Sequence, residues 1–458
     1  MMVPLRSPGR FGNILRMSDT SQRTLGYWSV LAIGVGGMVG GGIFAVLGLA
    51  VQLAHGGTPL AFALAGVVAL LTSYSYAKLS VAYPSPGGTV EFLNQGLGTG
   101  LLTGSLNVLL SISYVIMLSL YAHAFGSYGA SFLPPAWQAV GAHVLLSAVV
   151  VALTLLNVIG SRAVGEAEEW IVGLKIAILL GFVGIGLFSA QPAAMAPAQW
   201  APPVQLVAGG MLIFLAYEGF ELIANTAQDV RDPARTLPRA YYGAVLFVIV
   251  LYVLVSAVTV GNLDVHSIVA AQDYALAEAA RPFMGHAGFV LIALAAMLST
   301  ASAINATLYG AARINYIIAR DGELPAFLER KVWNKPVEGL LVTAGLTLLV
   351  ANLFSLESIS MMGSAGFLVV FVAVNIANVL RYRETGSRRS LSVLGAGACG
   401  GALAALLWQR ASSDPASLWV LAAILGLSVA IEGGYRLLTG RQIRAHLPRL
   451  SRPTVERR

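Results

Sequence analysis

Apolar segments long enough to cross a lipid bilayer recur along the whole chain, and this feature constrains its fold most. About 20 apolar residues in a helix span the hydrocarbon core. Twelve such segments are predicted, at 27–54, 58–81, 103–132, 141–160, 167–189, 204–227, 240–262, 284–312, 338–355, 359–380, 391–409 and 416–437. Since backbone groups inside a bilayer must be hydrogen-bonded internally, the pattern predicts an all-α polytopic membrane protein with 12 transmembrane helices.

The distribution of basic residues predicts the orientation. The chain is 458 residues long, 57% hydrophobic and only 11% charged, with a net charge of +7. Of its 28 lysines and arginines, only Arg281, Arg410 and Lys175 lie outside the tails and the alternate loops that share one side of the membrane. This asymmetry predicts a multi-pass protein of the cell (plasma or inner) membrane with both termini cytoplasmic. It also explains the positive charge without a nucleic-acid partner.

Short loops predict a single membrane domain, 27–437, between an N-terminal cytoplasmic tail, 1–26, and a C-terminal cytoplasmic tail, 438–458. The first tail has no apolar core of the kind found in a cleavable signal peptide. The single cysteine, Cys399, excludes an internal disulfide. We expect the protein to lie in the lipid bilayer as a monomer or a homodimer.

The first segment contains the glycine-rich stretch "GVGGMVGGGIFAVLG", residues 34–48. Glycine weakens a helix by about 1 kcal/mol relative to alanine. A nucleotide-binding loop is set aside, because the stretch lacks G-x-G-x-x-G and lies in an apolar span. Two alternatives remain open on this segment alone. The glycines could allow close helix packing, or the helix could break and leave free backbone groups beside a cavity.

The sixth segment contains "FLAYEGFELIANT", residues 214–226, in which Glu218, Gly219 and Glu221 interrupt the apolar pattern. If segments one to five form a first set, segment six begins a second. Breaks at corresponding positions of two sets indicate an inverted-repeat transporter. A half-helix starting after Gly42 would offer N–H groups to an anion, and carbonyls of Met38 and of residues 216–218 would accept from a cation. Together they suit a zwitterion, so we expect an amino acid substrate.

Three sequence blocks are similar to those of the amino acid–polyamine–organocation (APC) transporters, in particular the proton-coupled, broad-specificity branch. They are "GGGIF" at 40–44, "YEGFELIANTAQDVRDPARTLPRA" at 217–240 and "ARINYIIARDGELP" at 312–325. The resemblance covers residues 25–440. It implies a five-plus-five inverted repeat with broken helices one and six, the repeats being 27–189 and 204–380, followed by two extra helices in 391–437. It also implies alternating access and transport of amino acids or related amines.

The resemblance implies a set of substrate-binding residues: Met38, Gly40, Gly41, Gly42, Tyr114, Leu118, Leu215 and Glu218. The three glycines would bind the carboxylate through their amides. Met38, Leu215 and Glu218 would bind the amino group through their carbonyls. By a looser alignment, Tyr114 and Leu118 would face the substrate. Leu118 favours neutral amino acids, whereas the Glu218 side chain favours a cationic substrate, and both alternatives stay open.

The resemblance also implies a set of proton-coupling residues: Lys175, Glu221, Ser299 and Ser302. Lys175 lies about 12 Å along its helix from the cytoplasmic end, and a snorkelling or ion-paired lysine is the alternative reading. In the proton-coupled branch, a lysine at this position bonds carbonyls of helix one and hydroxyls of helix eight. Burial disfavours a charged lysine, which makes its proton exchangeable. We therefore expect a proton as coupling ion, with no metal and no other cofactor.

These observations predict a secondary active, proton-coupled amino acid transporter that works by alternating access. The alternatives are an amino acid/amine exchanger of the same fold, a non-transporting amino-acid sensor and a channel. An enzyme is not expected, because the sequence has no H-E-x-x-H motif, no recognisable Ser/His/Asp set and no histidine group with metal-ligand spacing.

Overall fold

The computed structural model describes residues 23–159, 162–320 and 337–439, and within these ranges the elements are helices. In chain order they are α1 (Tyr27–Met38), α2 (Gly42–Ala54), α3 (Thr58–Ala82), α4 (Thr89–Leu97), α5 (Leu101–Ala130), α6 (Pro135–Ile159), α7 (Arg162–Gly186), α8 (Pro203–Leu212), a 3-10 helix (Phe214–Asp229), α9 (Pro233–Asn262), α10 (Val265–Ala270), α11 (Ala275–Arg320), α12 (Val337–Leu353), α13 (Leu356–Leu380), α14 (Tyr382–Thr385), α15 (Arg389–Ser413) and α16 (Pro415–Thr439). Short 3-10 turns lie at Pro192–Met195, Pro197–Gln199 and Gln272–Tyr274.

The helices confirm a polytopic membrane architecture. In the described ranges, 9 helices are long and apolar enough to cross a bilayer, and α1 with α2 would make a tenth as one bent span. Two shorter apolar helices, Trp170–Gly186 and Val337–Leu353, fall on predicted segments five and nine. The count of twelve spans and their grouping into two repeats stay predictions. The predicted tails and the end of the third sequence block lie largely outside the described residues.

The first span is broken at the glycine-rich stretch. Helix α1 ends at Met38, α2 begins at Gly42, and the two are bent by 44° relative to each other. At Gly41 the backbone angles are φ −147° and ψ −13°, which are not helical. Of the two alternatives that the sequence leaves open, the structure therefore shows the break.

The glycines of the break also allow close packing against the 3-10 helix. A Cβ atom at Gly219 would lie 2.6 Å from the carbonyl oxygen of Gly37, and a Cβ at Gly37 would lie 2.8 Å from the carbonyl oxygen of Gly219. One turn further on, a Cβ at Gly42 would lie 2.6 Å from the Cα of Ala216. Backbones approach this closely only where side chains are absent, so the first and sixth segments touch through glycine.

The sixth segment differs from its prediction. An interruption was expected at residues 218–221, but α8 already ends at Leu212 and the chain continues as a 3-10 helix of 16 residues, without a sharp bend. Such a helix keeps backbone groups paired through i→i+3 bonds, which explains why the segment tightens instead of opening. Runs of this length are uncommon and often mark a functional hinge.

Serines of α13 satisfy the backbone where the helix type changes. The hydroxyls of Ser360 and Ser364 donate to the carbonyl oxygen of Leu212, at 2.8 and 2.7 Å. The amide of Leu215 donates to the Ser364 hydroxyl at 3.2 Å. These bonds replace the i→i+4 bonds that the α-helix would have made, so the transition is fixed by its neighbour.

A polar contact joins α3 to α14 at one end of the bundle. The Tyr83 hydroxyl donates to the Glu384 carboxylate, and Arg381 Nη1 lies 2.9 Å from the same carboxylate. Arg381 also donates from Nε to the carbonyl oxygen of Gln95 at 2.8 Å. The hydrogen bond from Tyr83, together with Arg381, holds the pKa of Glu384 below its usual value. The contact therefore depends on an ionised Glu384.

Candidate functional site

A cavity of about 420 Å³ lies between α1, α5, α11 and the 3-10 helix. At one end its wall includes Leu25, just before α1, and Tyr309, which is 63% exposed, so this end reaches the surface. At the other end its wall includes Gly36 and Gly37, just before the break in the first span. The cavity thus leads from the end of the molecule where α1 begins to the broken span.

The chain beyond the break closes the opposite side. Residues 38–51 are all buried. The hydroxyl of Tyr128, on α5, donates to the carbonyl oxygen of Phe44 at 3.1 Å, and the two rings pack edge to face. The rings hold α2 against α5 and close this side. The cavity is therefore accessible only from the α1 end in this conformation of the described residues.

Two backbone N–H groups at the break are available to an anion. Among the described residues, no hydrogen-bond acceptor is found for the amides of Gly41 and Gly42, which stand at the N-terminus of α2. The helix dipole adds a partial positive charge at the same place. Tyr121 separates these amides from the cavity. Its ring lines the cavity, and its Cε1 would lie 3.0 Å from a Cβ at Gly41.

Side chains from three other helices donate hydrogen bonds to the carbonyl groups that the break leaves free. The Tyr252 hydroxyl, on α9, donates to the Met38 carbonyl at 2.7 Å. The Ser299 hydroxyl, on α11, lies 2.9 Å from the Val39 carbonyl and also contacts that of Gly40. Met38, a predicted acceptor for the substrate, is thus already bonded. Ser299, a predicted partner of the lysine, donates to carbonyls of the break.

The third of these side chains is Lys175, on α7. It is only 2% exposed, and its Nζ donates to the carbonyl oxygen of Gly36 at 3.0 Å. The side chain therefore turns inward to the first span and does not snorkel to the membrane surface. Because Gly36 also lines the cavity, the ammonium lies directly behind the cavity wall.

The two glutamates of the 3-10 helix have different surroundings. Glu221 accepts hydrogen bonds from Thr89, at 3.1 Å, from Tyr76, at 3.2 Å, and from Tyr114. It thereby ties the 3-10 helix to α3, α4 and α5. Glu218 lines the cavity and is 1% exposed, and its carboxyl group makes a side-chain hydrogen-bond contact with that of Glu221.

The structure brings the predicted residues to one region but not to one surface. On the cavity wall lie Tyr114, Glu218 and Ser302. The other predicted residues are buried and do not line the cavity: Met38, Gly40, Gly41, Gly42, Leu118, Lys175, Leu215, Glu221 and Ser299. No group of three or more histidine, cysteine, aspartate or glutamate side chains in the described ranges is placed to hold a metal ion.

Sequence reasoning missed two tyrosines. Tyr121 lies seven residues after Tyr114, which places both on one face of α5, and this spacing could have identified it. Tyr252 lies in an otherwise apolar stretch of α9, and nothing in the sequence indicates that its hydroxyl reaches the break.

Comparison with known proteins places the chain in a family. The family described as "Amino acid permease" matches residues 25–430. A protein of Methanocaldococcus jannaschii whose function is uncharacterized is 36% identical over 82% of this chain and 86% of its own. The inner membrane transport protein YbaT of Escherichia coli is 34% identical over 89% of this chain and 95% of its own. The branched-chain amino acid permease BcaP of Bacillus subtilis is 25% identical over 78% of this chain and 81% of its own. The chain therefore belongs to the amino acid permease family of the APC superfamily and is a multi-pass membrane transporter.

Proposed function

We propose that this transporter moves amino acids across the cell membrane by alternating access, driven by protons. The observation that carries the proposal is the cavity itself. It is open at one end and stops at a broken span whose first amides, those of Gly41 and Gly42, have no acceptor among the described residues. A helix N-terminus of this kind binds carboxylates, and the family and the relative named for branched-chain amino acids support an amino acid as the substrate.

The substrate carboxylate would reach the two amides by displacing the Tyr121 ring. This ring lies between the cavity and Gly41, so its rotation would join them. The amides would then bond the carboxylate while α2 stabilises it through its dipole. The Tyr121 ring would thus cover the amides when the cavity is empty and rotate away when substrate is bound.

Lys175 would couple transport to protons. When protonated, its ammonium bonds the Gly36 carbonyl and joins α7 to α1 at the cavity wall. When the proton leaves, the nitrogen loses its charge and one donor, and the bond to α1 weakens. Since α1 forms one wall of the cavity and ends at the break, release of this bond would allow α1 to move and the access to change sides.

Glu221 would sense protons in the same cycle. Its carboxylate accepts from three hydroxyls on three helices. Protonation would remove at least one acceptor position and loosen the attachment of the 3-10 helix to α3, α4 and α5. By the proposed orientation, with the termini in the cytoplasm, the present conformation faces the cytoplasm.

Uptake into proteoliposomes tests the proposal. The purified protein is reconstituted, and accumulation of labelled L-leucine, L-alanine, L-lysine and L-glutamate is measured with and without an inwardly directed proton gradient. We expect at least one amino acid to accumulate with the gradient, to stop accumulating with a protonophore, and to be unaffected when choline replaces sodium. Uptake that needs sodium would contradict proton coupling. Uptake that occurs only into preloaded vesicles would instead identify an exchanger.

Two lysine variants test whether Lys175 couples transport to protons. Lys175→Ala should abolish accumulation driven by the proton gradient. Lys78→Ala is the matched control, since Lys78 is a lysine on α3 that donates to the Gly386 carbonyl, away from the cavity. It should accumulate substrate as the wild type does. Undiminished accumulation by Lys175→Ala would contradict the assigned role.

A further inference from the structure

Three arginines lie close together where α14 leads into α15: Arg383, Arg388 and Arg389. All three are exposed, and in the described ranges none of them is ion-paired with an acidic side chain. The neighbouring carboxylate of Glu384 already contacts Arg381 and accepts a hydrogen bond from Tyr83. This arginine cluster therefore carries positive charge that the described part of the chain does not compensate.

The ring of Tyr382 holds two of these arginines near each other. The guanidinium carbons of Arg383 and Arg389 lie 5.6 and 5.9 Å from the centre of this ring, and Nε of Arg383 donates to the Tyr382 hydroxyl at 2.9 Å. The backbone N–H of Arg388 donates to the hydroxyl of Tyr74, on α3, which fixes the turn. Two guanidinium groups around one ring repel each other, and an anion between them relieves the repulsion. Phosphate suits such a site, because guanidinium groups can bond it bidentately.

The arginine cluster stands at one end of an exposed stripe on α15. From Arg389, steps of three or four residues along the helix lead to the exposed residues of this stripe: Val393, Gly397, Gly401, Ala404 and Trp408. The distance along the helix from Arg389 to Trp408 is about 28 Å, close to the thickness of the hydrocarbon core of a bilayer, about 30 Å. Tryptophan is typical of the membrane–water interface. The cluster therefore lies at the level of the lipid headgroups on the opposite side of the membrane.

The middle of the stripe is shallow. At Gly397 and Gly401 an added Cβ would meet no atom within 4 Å, so no other described part of the chain covers α15 there. The exposed side chains of Val393 and Leu394 lie about one turn from Arg389. A lipid whose headgroup is bound by the arginines thus has room for an acyl chain along this helix. A two-fold contact between copies would instead bring the arginines of both to the same level of the membrane, where like charges repel.

We propose that the arginine cluster binds the phosphate group of an anionic phospholipid, with an acyl chain along the exposed stripe of α15. By the predicted orientation the cluster faces the cytoplasm, where anionic lipids give the membrane surface a negative potential that attracts basic residues. Zwitterionic lipids carry a compensating positive charge, so the cluster distinguishes anionic lipids from them by net charge. None of the three arginines lines the cavity, and the inference does not depend on the proposed function.

Lipid binding to the purified full-length protein in an uncharged detergent tests the inference. Thermal unfolding is the readout, since a ligand of the native state raises the unfolding temperature. The probes are dioleoyl-phosphatidylglycerol, dioleoyl-phosphatidylcholine, which has the same chains without net charge, and glycerol phosphate and inorganic phosphate, which have no chains. We expect phosphatidylglycerol to stabilise the wild type more than phosphatidylcholine, and the two soluble phosphates to have no effect. High salt should reduce the difference between the lipids, because salt screens exposed charges.

Arginine variants complete the experiment. The double variant Arg383→Gln, Arg389→Gln removes two exposed charges, and its affinity is taken from the mole fraction of lipid that gives half of the maximal shift. It should bind phosphatidylglycerol about 30-fold more weakly, from about fivefold for each arginine near a membrane surface. Arg235→Gln is the matched control, because Arg235 is an exposed arginine on α9 that lies 3.8 Å from the carboxylate of Asp232. It should bind the lipid as the wild type does.

Several results would overturn the inference. Equal stabilisation by the two lipids would show that net charge is not recognised, and an undiminished response of the double variant would exclude the arginine cluster. Stabilisation by glycerol phosphate equal to that by phosphatidylglycerol would indicate a site for soluble anions. A double variant that changes its oligomeric state on size-exclusion chromatography but keeps its lipid affinity would identify a contact between copies. The comparison of lipids on the wild type holds even if the double variant fails to fold.

Discussion

Replacing Gly219 by alanine should force the first and sixth segments apart. The added Cβ would lie 2.6 Å from the Gly37 carbonyl oxygen and closer still to the Gly37 carbonyl carbon and the Met38 nitrogen. All three are backbone atoms, so no side-chain rotation can relieve the contact. Overpacking by one methyl group costs about 1–3 kcal/mol, and we expect the upper part of that range.

The assay compares Gly219→Ala with Gly173→Ala. At Gly173, on α7, an added Cβ meets no atom within 4 Å, and alanine there should stabilise the helix by up to about 1 kcal/mol. We expect Gly219→Ala to unfold at a temperature lower by roughly 5 °C. A penalty of this size on the conformation in which the segments touch lowers its population about tenfold or more, so uptake should fall accordingly. Equal stability and uptake in the two variants would refute the close approach.

Three further predictions follow from the contacts described. Gly41→Val should abolish stabilisation by L-leucine in a thermal unfolding assay while the protein still folds, because the new side chain displaces Tyr121 and covers the amides; a full response would exclude the break as the binding site. Glu221→Gln should keep L-leucine binding but flatten the pH dependence of uptake, since an amide cannot titrate, and an unchanged pH profile would remove Glu221 from the coupling scheme. Tyr83→Phe should lower thermal stability at pH 7, and its difference from the wild type should shrink in acid: the lowered pKa of Glu384 gives a contribution that is present above the usual carboxyl pKa and lost as pH falls through the lowered one. A difference between Tyr83→Phe and wild type that does not change as the pH is lowered below the usual carboxyl range would contradict that assignment.

The position of the break in the first span has a local cause, although this segment alone left close helix packing open as an alternative. Glycines at 40–42 lower the helical preference directly, and the structure breaks the helix at these residues. The sixth segment was harder to predict. Its Glu218 and Gly219 suggested an interruption at their own positions, but the change to 3-10 geometry begins earlier, at Phe214. Serines on α13, far away in sequence, fix that position.

The partners of the freed backbone groups could not be predicted for the same reason. The family resemblance indicated Ser299 as a partner of Lys175, yet not that it would bond the Val39 and Gly40 carbonyls. The bond from Tyr252 to Met38 joins residues 214 positions apart. Such contacts depend on how the helices pack, whereas periodicity within one helix determines only which face a residue occupies.

Proton movement during transport tests the central claim most directly. A pH-sensitive dye is enclosed in proteoliposomes without an imposed gradient, and L-leucine is added outside while uptake of labelled L-leucine is followed in parallel. We predict acidification of the lumen with the wild type and with Lys78→Ala, and none with Lys175→Ala. Entry of L-leucine into wild-type vesicles without acidification, or acidification that persists with Lys175→Ala, would contradict proton coupling through the lysine at the broken span.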